Sequence, residues 1–323
     1  MRFELSPTGC VRVSAVAMKS FEPGTGCGLA TLLETGPNCS EREDPWRAGP
    51  CARLDAMSAP RPAPLNSLPG DEARAVRGLL TDIDDTLTRD GAIEPEALGA
   101  LADLQKAGIP VVAITGRPMG WSRGFAETWP IEAIVAENGA VALFTDSGRL
   151  AIEYAQDEAT RTRNAVRLRA AAERVLREVP GSTLATDSAG RVTDIAVDHS
   201  EFAHLAPAQI AQVVAVMRAE GMNATVSSIH INGWYGDHDK LSGARWIVGR
   251  RLGRDLDAET AHWVYVGDST NDQQMFGHFP LSVGVANLMH FADRLTVWPA
   301  YLTVGERGAG FAEVARRLIE ARR

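Results

Sequence analysis

The chain has 323 residues, 45% hydrophobic and 23% charged, a balance that fits one large or two ordinary globular domains and argues against collagen, coiled-coil and wholly disordered chains. Lys and Arg number 33 against 41 Asp and Glu, so the net charge is −8; that opposes a broad nucleic-acid or anionic-membrane surface but leaves room for a phosphorylated small molecule held by a few local cations or a metal. No stretch reaches the roughly 18–20 apolar residues that span a bilayer, and the first twenty residues do not read as a secretory signal, so a cytoplasmic location is expected.

Residues 1–70 hold nine of the seventeen prolines and show no sustained periodicity, which predicts a disordered N-terminal extension and raises Met57 as the natural start. The four cysteines, Cys10, Cys27, Cys39 and Cys51, contain no C-x-x-C pair, so a zinc site is not read there. The glycines of the GTGCG run (24–28) lack the Lys-Ser/Thr of a phosphate loop. From Asp71 the pattern alternates. Strands are predicted at Gly78–Ile83, Pro110–Ile114 and Ile131–Ala136, with a helix over Pro95–Ala107 whose Leu98, Leu101 and Leu104 share a side. Val141–Phe144 and Leu150–Tyr154 flank a turn and predict a hairpin; helices at Asp157–Val179 and Pro207–Glu220 and strands at Arg191–Val197, Asn223–Ser227 and Ile229–Trp234 follow. The last part reads as helix Leu241–Leu252, strand His262–Val266, a helix after Asn271, strand Leu281–Val285 and helix Phe311–Arg322. The fold class is α/β: a doubly wound parallel sheet formed by 71–139 and 237–323, interrupted by a β-rich α/β insert at 140–236.

The chemistry concentrates in Asp82-Ile-Asp84-Asp85-Thr86, directly after an apolar strand. Residues i and i+2 of an extended chain face the same way, so Asp82 and Asp84 share one side at the carboxyl end of a strand, where open α/β sheets bind ligands. Asp85 points away, toward local hydrogen bonding or a cap. His199 and His204 lack the H-E-x-x-H spacing of a zinc helix. By period two, His230, Asn232 and Trp234 share a strand face on the return from the insert, available either to a substrate or to packing.

The segment DIDDTLT resembles the first motif of the haloacid-dehalogenase-like (HAD) phosphohydrolases, and three more motifs follow in order: Ile114-Thr115-Gly116-Arg117, Lys240 in DHDKLSGA, and Gly267-Asp268-Ser269-Thr270-Asn271-Asp272. The insert, entered through Glu137–Ala140 (ENGA), is similar to the type IIB (C2) cap of sucrose-phosphate phosphatases, mannosyl-phosphoglycerate phosphatases and phosphomannomutases. The resemblance implies a HAD-like Rossmannoid core with an inserted cap and a phosphatase acting on a sugar phosphate or related small metabolite, with a phosphomutase as the alternative. It implies Asp82 as nucleophile, Asp84 as general acid and base, and Lys240 as fixed charge. Mg²⁺ suits a crowd of carboxylates, with Asp82, the Asp84 backbone carbonyl and Asp268 as ligands, and Asp272 acting either through water or by orienting Lys240. Thr115 and Gly116 would bind phosphate; Arg117 would touch substrate or form a salt bridge; Asn271 would bind phosphate, bind metal water or cap a helix; Asn138, His230 and Asn232 would reach the substrate from the cap.

Overall fold

The computed structural model describes residues 62–323; the four cysteines, the GTGCG run and Met57 lie outside the described residues. The described chain opens with strand β1 (Ala63–Pro64) and helix α1 (Gly70–Ala75), then β2 (Gly78–Thr81), the small antiparallel pair β3 (Thr88–Arg89) and β4 (Ala92–Ile93), and α2 (Pro95–Lys106). Next come β5 (Val111–Ile114), α3 (Met119–Thr128), β6 (Ala133–Ala136), and the hairpin β7 (Val141–Asp146) and β8 (Arg149–Tyr154). The insert contributes α4 (Glu158–Glu178), β9 (Thr183–Leu184), β10 (Asp194–Asp198), α5 (Pro207–Ala219), β11 (Asn223–Val226) and β12 (His230–Trp234). The chain returns through α6 (Lys240–Leu252), β13 (Trp263–Gly267), α7 (Gln273–His278), β14 (Leu281–Gly284), β15 (Tyr301–Leu302) and α8 (Arg307–Glu320).

Nine strands form one sheet in the order β1-β15-β14-β13-β2-β5-β6-β7-β8, parallel from β1 to β6 and antiparallel at β7 and β8. Its strands are apolar on both faces because helices cover both. Leu79, Val111, Ala113, Val264 and Val266 pack with α2 and α8 on one side, while Leu80, Val112, Ile114, Trp263 and Tyr265 pack with α6 and α7 on the other. The second sheet, β11-β12-β10-β9, carries α4 and α5 on one face through Leu168, Val175, Val197, Val213, Met217 and Ile231. Local chemistry agrees with these boundaries: Pro95 opens α2, Asp157 caps α4 by accepting from Thr160 N–H at 2.7 Å, and Gly253 ends α6 in the left-handed region. Among the described residues no helix is long and apolar enough to cross a membrane.

Four expectations change. The hairpin β7–β8 was assigned to the insert from residue 140, yet it is hydrogen-bonded to β6 and extends the large sheet; the separate sheet is built from residues 183–234. Helix α3 was not foreseen, since its two glycines interrupt the apolar rhythm that Met119, Trp121 and Phe125 nevertheless supply to the core. Leu98 lies 39% exposed, because the face that α2 buries is Ala97, Ala100, Leu101 and Leu104. Finally, disorder was expected to run to residue 70, yet residues 63–68 are packed: Ala63 and Pro64 pair with Tyr301 and Leu302, and Leu65 and Leu68 are buried in the same cluster as Val314 and Leu318. Period-based reading misses such a segment because two leucines among prolines carry no periodicity. A truncation beginning at Asp71, expected from the sequence to cost little, should therefore lower stability by about 3–5 kcal/mol from the two leucines alone. Urea unfolding of the truncated and full chains measures it; equal midpoints would refute the packing assigned to this segment.

Candidate active site

The site forms where the carboxyl ends of β13, β2 and β5 lie side by side, with β2 in the middle. Asp82 and Asp84 follow β2, Thr115, Gly116 and Arg117 follow β5, and Asp268 follows β13. Lys240 is the first residue of α6 and reaches in from the next layer. The first, second and fourth motifs thus converge because parallel strands end on the same edge, not because they are near in sequence, and the third joins them from the start of α6.

Lys240 Nζ stands 2.7 Å from Asp82 Oδ1 and 2.7 Å from Asp272 Oδ1, all three groups buried. Burial works against the ammonium, but the carboxylates of Asp272 and Asp82 outweigh it and hold Lys240 charged. Asp272 is fully engaged: Oδ1 also accepts from the Tyr265 hydroxyl, and Oδ2 accepts from the N–H groups of Asp268 and Ser269 at 3.0 Å each. Gly267 makes this possible, since a Cβ there would lie 2.6 Å from the Asp272 carboxyl carbon. Asp272 is therefore placed to orient Lys240, one of the two roles considered for it.

Carboxylate oxygens of Asp82, Asp268 and Asp272 lie within 4.8 Å of one another. Burial pushes the Asp82 carboxyl up to about 7, with Lys240 opposing and the charges of Asp272 and Asp84 adding to the rise. Asp268 is pushed well above the ordinary range by burial and then by Asp82 and Asp272. Among the described residues its own oxygens accept only two long hydrogen bonds, from Thr86 and the Asn287 amide at 3.4 Å each. A hard divalent cation relieves this crowding, and the residues fit one: Asp82 and Asp268 have acceptor capacity to give, whereas Asp272 does not.

Asp84 turns toward Arg117, whose Nε donates to both its oxygens at 2.9 and 3.1 Å. Burial raises the Asp84 carboxyl and Arg117 opposes that rise. Arg117 also meets Asp187 (3.2 Å) and Glu201 (2.8 Å), both from the insert, so it is the salt-bridging group of the two alternatives. Asp85, at φ 55°, pairs with Arg307 at 2.7 Å and lines the same cleft as Asp84. Thr115 Oγ1 accepts from the Arg117 N–H at 2.9 Å, which leaves its own hydrogen free to donate.

The insert closes over this edge. Asn232 donates to the Gly116 carbonyl (3.2 Å) and to Asp194 (3.1 Å), and Arg191 donates to the same carbonyl at 2.9 Å. His230 meets Glu201 at 2.9 Å. Thr270 Oγ1 donates to the Val226 carbonyl at 2.8 Å. Asn271 stays local, accepting from Ser269 Oγ at 2.8 Å. Asn138 lies beside Gly116, and its Nδ2 is buried without a hydrogen-bond partner. It sits in a left-handed run, Glu137 (φ 50°), Asn138 (φ 55°) and Gly139 (φ 106°). Only glycine fits the third position, where a Cβ would stand 2.0 Å from the Asp239 carbonyl oxygen at the start of α6.

Glu137 was read only as part of the ENGA entry, without a role. It is fully buried and accepts from the N–H groups of Met119 (3.0 Å), Val192 (3.1 Å) and Thr193 (2.6 Å) and from the Thr193 hydroxyl (2.5 Å), tying α3 to the insert. Burial, with the nearby Asp194 charge, pushes it up to about 7 from 4.5. Between those values the folded state holds a proton that the unfolded chain has released, so this group's contribution makes stability fall as pH rises from 4.5 to 7, by an amount on the order of 3 kcal/mol. Glu137→Gln should flatten that slope; urea midpoints at pH 5 and 7 that drop equally in both proteins would refute it. Glu201, Asp187, Arg191 and Tyr265 were also not singled out; Glu201 lay inside the H-S-E-F-A-H run that was dismissed as a zinc motif.

A cleft of about 440 Å³ opens beside Asp84 and Arg117, between the large sheet's edge and the insert. A larger groove, about 660 Å³, is lined by α2 and α8 and contains none of the clustered acids.

Comparison with known proteins agrees with this geometry. The family model described as haloacid dehalogenase-like hydrolase matches residues 79–162, which include the Asp82–Asp84 pair and Thr115–Arg117. A phosphoglycolate phosphatase of Methanopyrus kandleri is 27% identical over 250 residues, 75% of this chain and 97% of that protein. By these matches the chain is similar to the haloacid dehalogenase-like hydrolases over residues 79–162 and to a phosphatase over most of its length. Solved structures share the hydrolase fold at low identity. The C-terminal domain of trehalose-6-phosphate phosphatase from C. albicans aligns with a TM-score of 0.59 at 14% identity, covering 80% of this chain and 99% of that one. A Thermoplasma acidophilum protein gives 0.58 at 16%, covering 76% and 99%. Synechocystis sucrose-phosphatase, solved with sucrose and phosphate, gives 0.53 at 16%, covering 76% and 98%.

Proposed function

We propose that this hydrolase cleaves the phosphomonoester of a sugar or related small metabolite, with Mg²⁺, through an aspartyl-phosphate on Asp82. The observation that carries the reading is the buried contact of Asp82 with Lys240 at 2.7 Å inside the carboxylate cluster with Asp268. The phosphatase names of the M. kandleri relative and of the C. albicans and Synechocystis structures support it.

Asp82 and Asp268, with the Asp84 backbone carbonyl, would hold Mg²⁺. Bound there, the ion supplies charge neutralisation for the carboxylates and the phosphoryl oxygens. An Asp82 oxygen attacks phosphorus as the bond to the leaving oxygen breaks, and Asp84 gives that oxygen its proton. Asp84 then takes a proton from water, which attacks phosphorus and breaks the bond to Asp82, releasing orthophosphate. Lys240 holds Asp82 in place, and Asp272 with Tyr265 holds Lys240. Thr115, Gly116 and the unpartnered Asn138 amide provide donors for phosphate oxygens, and Asn232 and His230 face the site from the cap. Arg117 holds Asp84 as the cap closes and excludes water.

Incubating the full chain with Mg²⁺ and a panel of phosphorylated metabolites should release orthophosphate without any bisphosphate activator. Chelation should abolish release, and Mg²⁺ should restore it. Formation of a sugar-phosphate isomer in place of orthophosphate would establish a mutase instead, and activity untouched by chelation would remove the metal from the reading.

A further inference from the structure

The cap aims one carboxylate into the cleft and builds a support for it. Asp198, at the end of β10, accepts from the N–H groups of Ser200, Glu201, Phe202 and Ala203 at 2.9–3.1 Å, so four consecutive amides of the loop converge on one buried side chain. The loop is thereby fixed with Glu201 and the 70% exposed Phe202 both lining the cleft. Glu201 is held from two sides, by Arg117 on Oε1 (2.8 Å) and by His230 on Oε2 (2.9 Å). A carboxylate offers about four acceptor positions, so a held Glu201 still has capacity for a further donor.

The charge of the cleft decides what that donor can belong to. Asp84, Asp85, Asp90 and Glu201 line it against Arg117 and Arg307, the only cations lining it among the described residues. Both cations are already paired, Arg117 with Asp84 and Glu201, and Arg307 with Asp85. A leaving group bearing its own carboxylate would enter a net negative cleft with no free cation to meet it. A hydroxyl-bearing leaving group would instead donate to Glu201 in a charge-assisted hydrogen bond. The volume, about 440 Å³, also exceeds by several times what a two-carbon acid fills.

We propose that Glu201 is the residue by which the cap selects its substrate, favouring phosphomonoesters whose leaving group is uncharged and rich in hydroxyls over those whose leaving group carries a second negative charge. This rests on the phosphatase reading above, and it parts company with the substrate that the M. kandleri relative is named for.

The test compares kcat/KM of the full chain with Mg²⁺ on glucose 6-phosphate, 2-phosphoglycolate and p-nitrophenyl phosphate. Glucose 6-phosphate should be preferred to 2-phosphoglycolate by at least tenfold, a result that depends on no variant. Glu201→Gln, its fold checked by circular dichroism, should shrink that ratio at least tenfold, by raising KM for the sugar phosphate and lowering it for 2-phosphoglycolate. Wild-type preference for 2-phosphoglycolate, or an unchanged ratio in the folded variant, would overturn the inference while leaving the phosphatase intact. No turnover of any of the three would bring down the phosphatase reading and this inference with it.

Discussion

Asp82→Asn should cut phosphate release by at least about a thousandfold, equivalent to about 4 kcal/mol of transition-state stabilisation. An amide cannot form the acyl phosphate, and it offers Lys240 Nζ, which donates to Asp82 at 2.7 Å, a neutral oxygen in place of a charged one. The fold should survive, because burial already pushes the Asp82 carboxyl up to about 7 and the substitution removes a charge the site holds at a cost. Phosphate release and a thermal melt, read on the same preparation, separate the two effects. A variant that keeps a tenth of wild-type turnover would eliminate Asp82 as nucleophile.

Lys240→Met should damage both stability and turnover. The lysine stands between Asp82 and Asp272, 2.7 Å from each, and no other cation is paired with either among the described residues. Its removal leaves two buried carboxylates without a counter-charge, a loss of about 3–5 kcal/mol. Two accompanying signs identify the cause as electrostatic. The deficit should narrow as pH falls and the carboxylates take up protons, and added Mg²⁺ should raise the melting temperature more in the variant than in the wild type. A variant as stable as the wild type at pH 8 in chelator would contradict the ion-pair geometry.

The gathering of the acidic and phosphate-binding candidates at one sheet edge was legible in the sequence. The strand ends carrying Asp82, Thr115 and Asp268 could be read because buried parallel strands are short apolar runs, and a polar residue placed right after one stands at the ligand-binding edge. The choice of Asp272 between water and Lys240 could not, since it turns on Tyr265 and two backbone amides that arrive from the fold. The alternation of His230 and Asn232 on one face of β12 was readable, but not that Asn232 would reach the Gly116 carbonyl and His230 would meet Glu201. Glu201 itself was hidden because its importance comes from Arg117, 84 positions away in the chain. The hairpin β7–β8 was correctly seen as a hairpin and wrongly given to the cap, because a turn signal fixes which two strands pair but not which sheet they join.

The strand Ala63–Pro64 lies at one margin of the nine-stranded sheet, beside β15. A sheet margin exposes unpaired amides and carbonyls that a strand from another molecule can adopt, and proline has no amide hydrogen to offer. The two residues therefore act as a chemical stopper. Stripping them away would bare Tyr301 and Leu302 to self-association, so the shortened protein would tend to precipitate on storage even at temperatures where its remaining core stays folded.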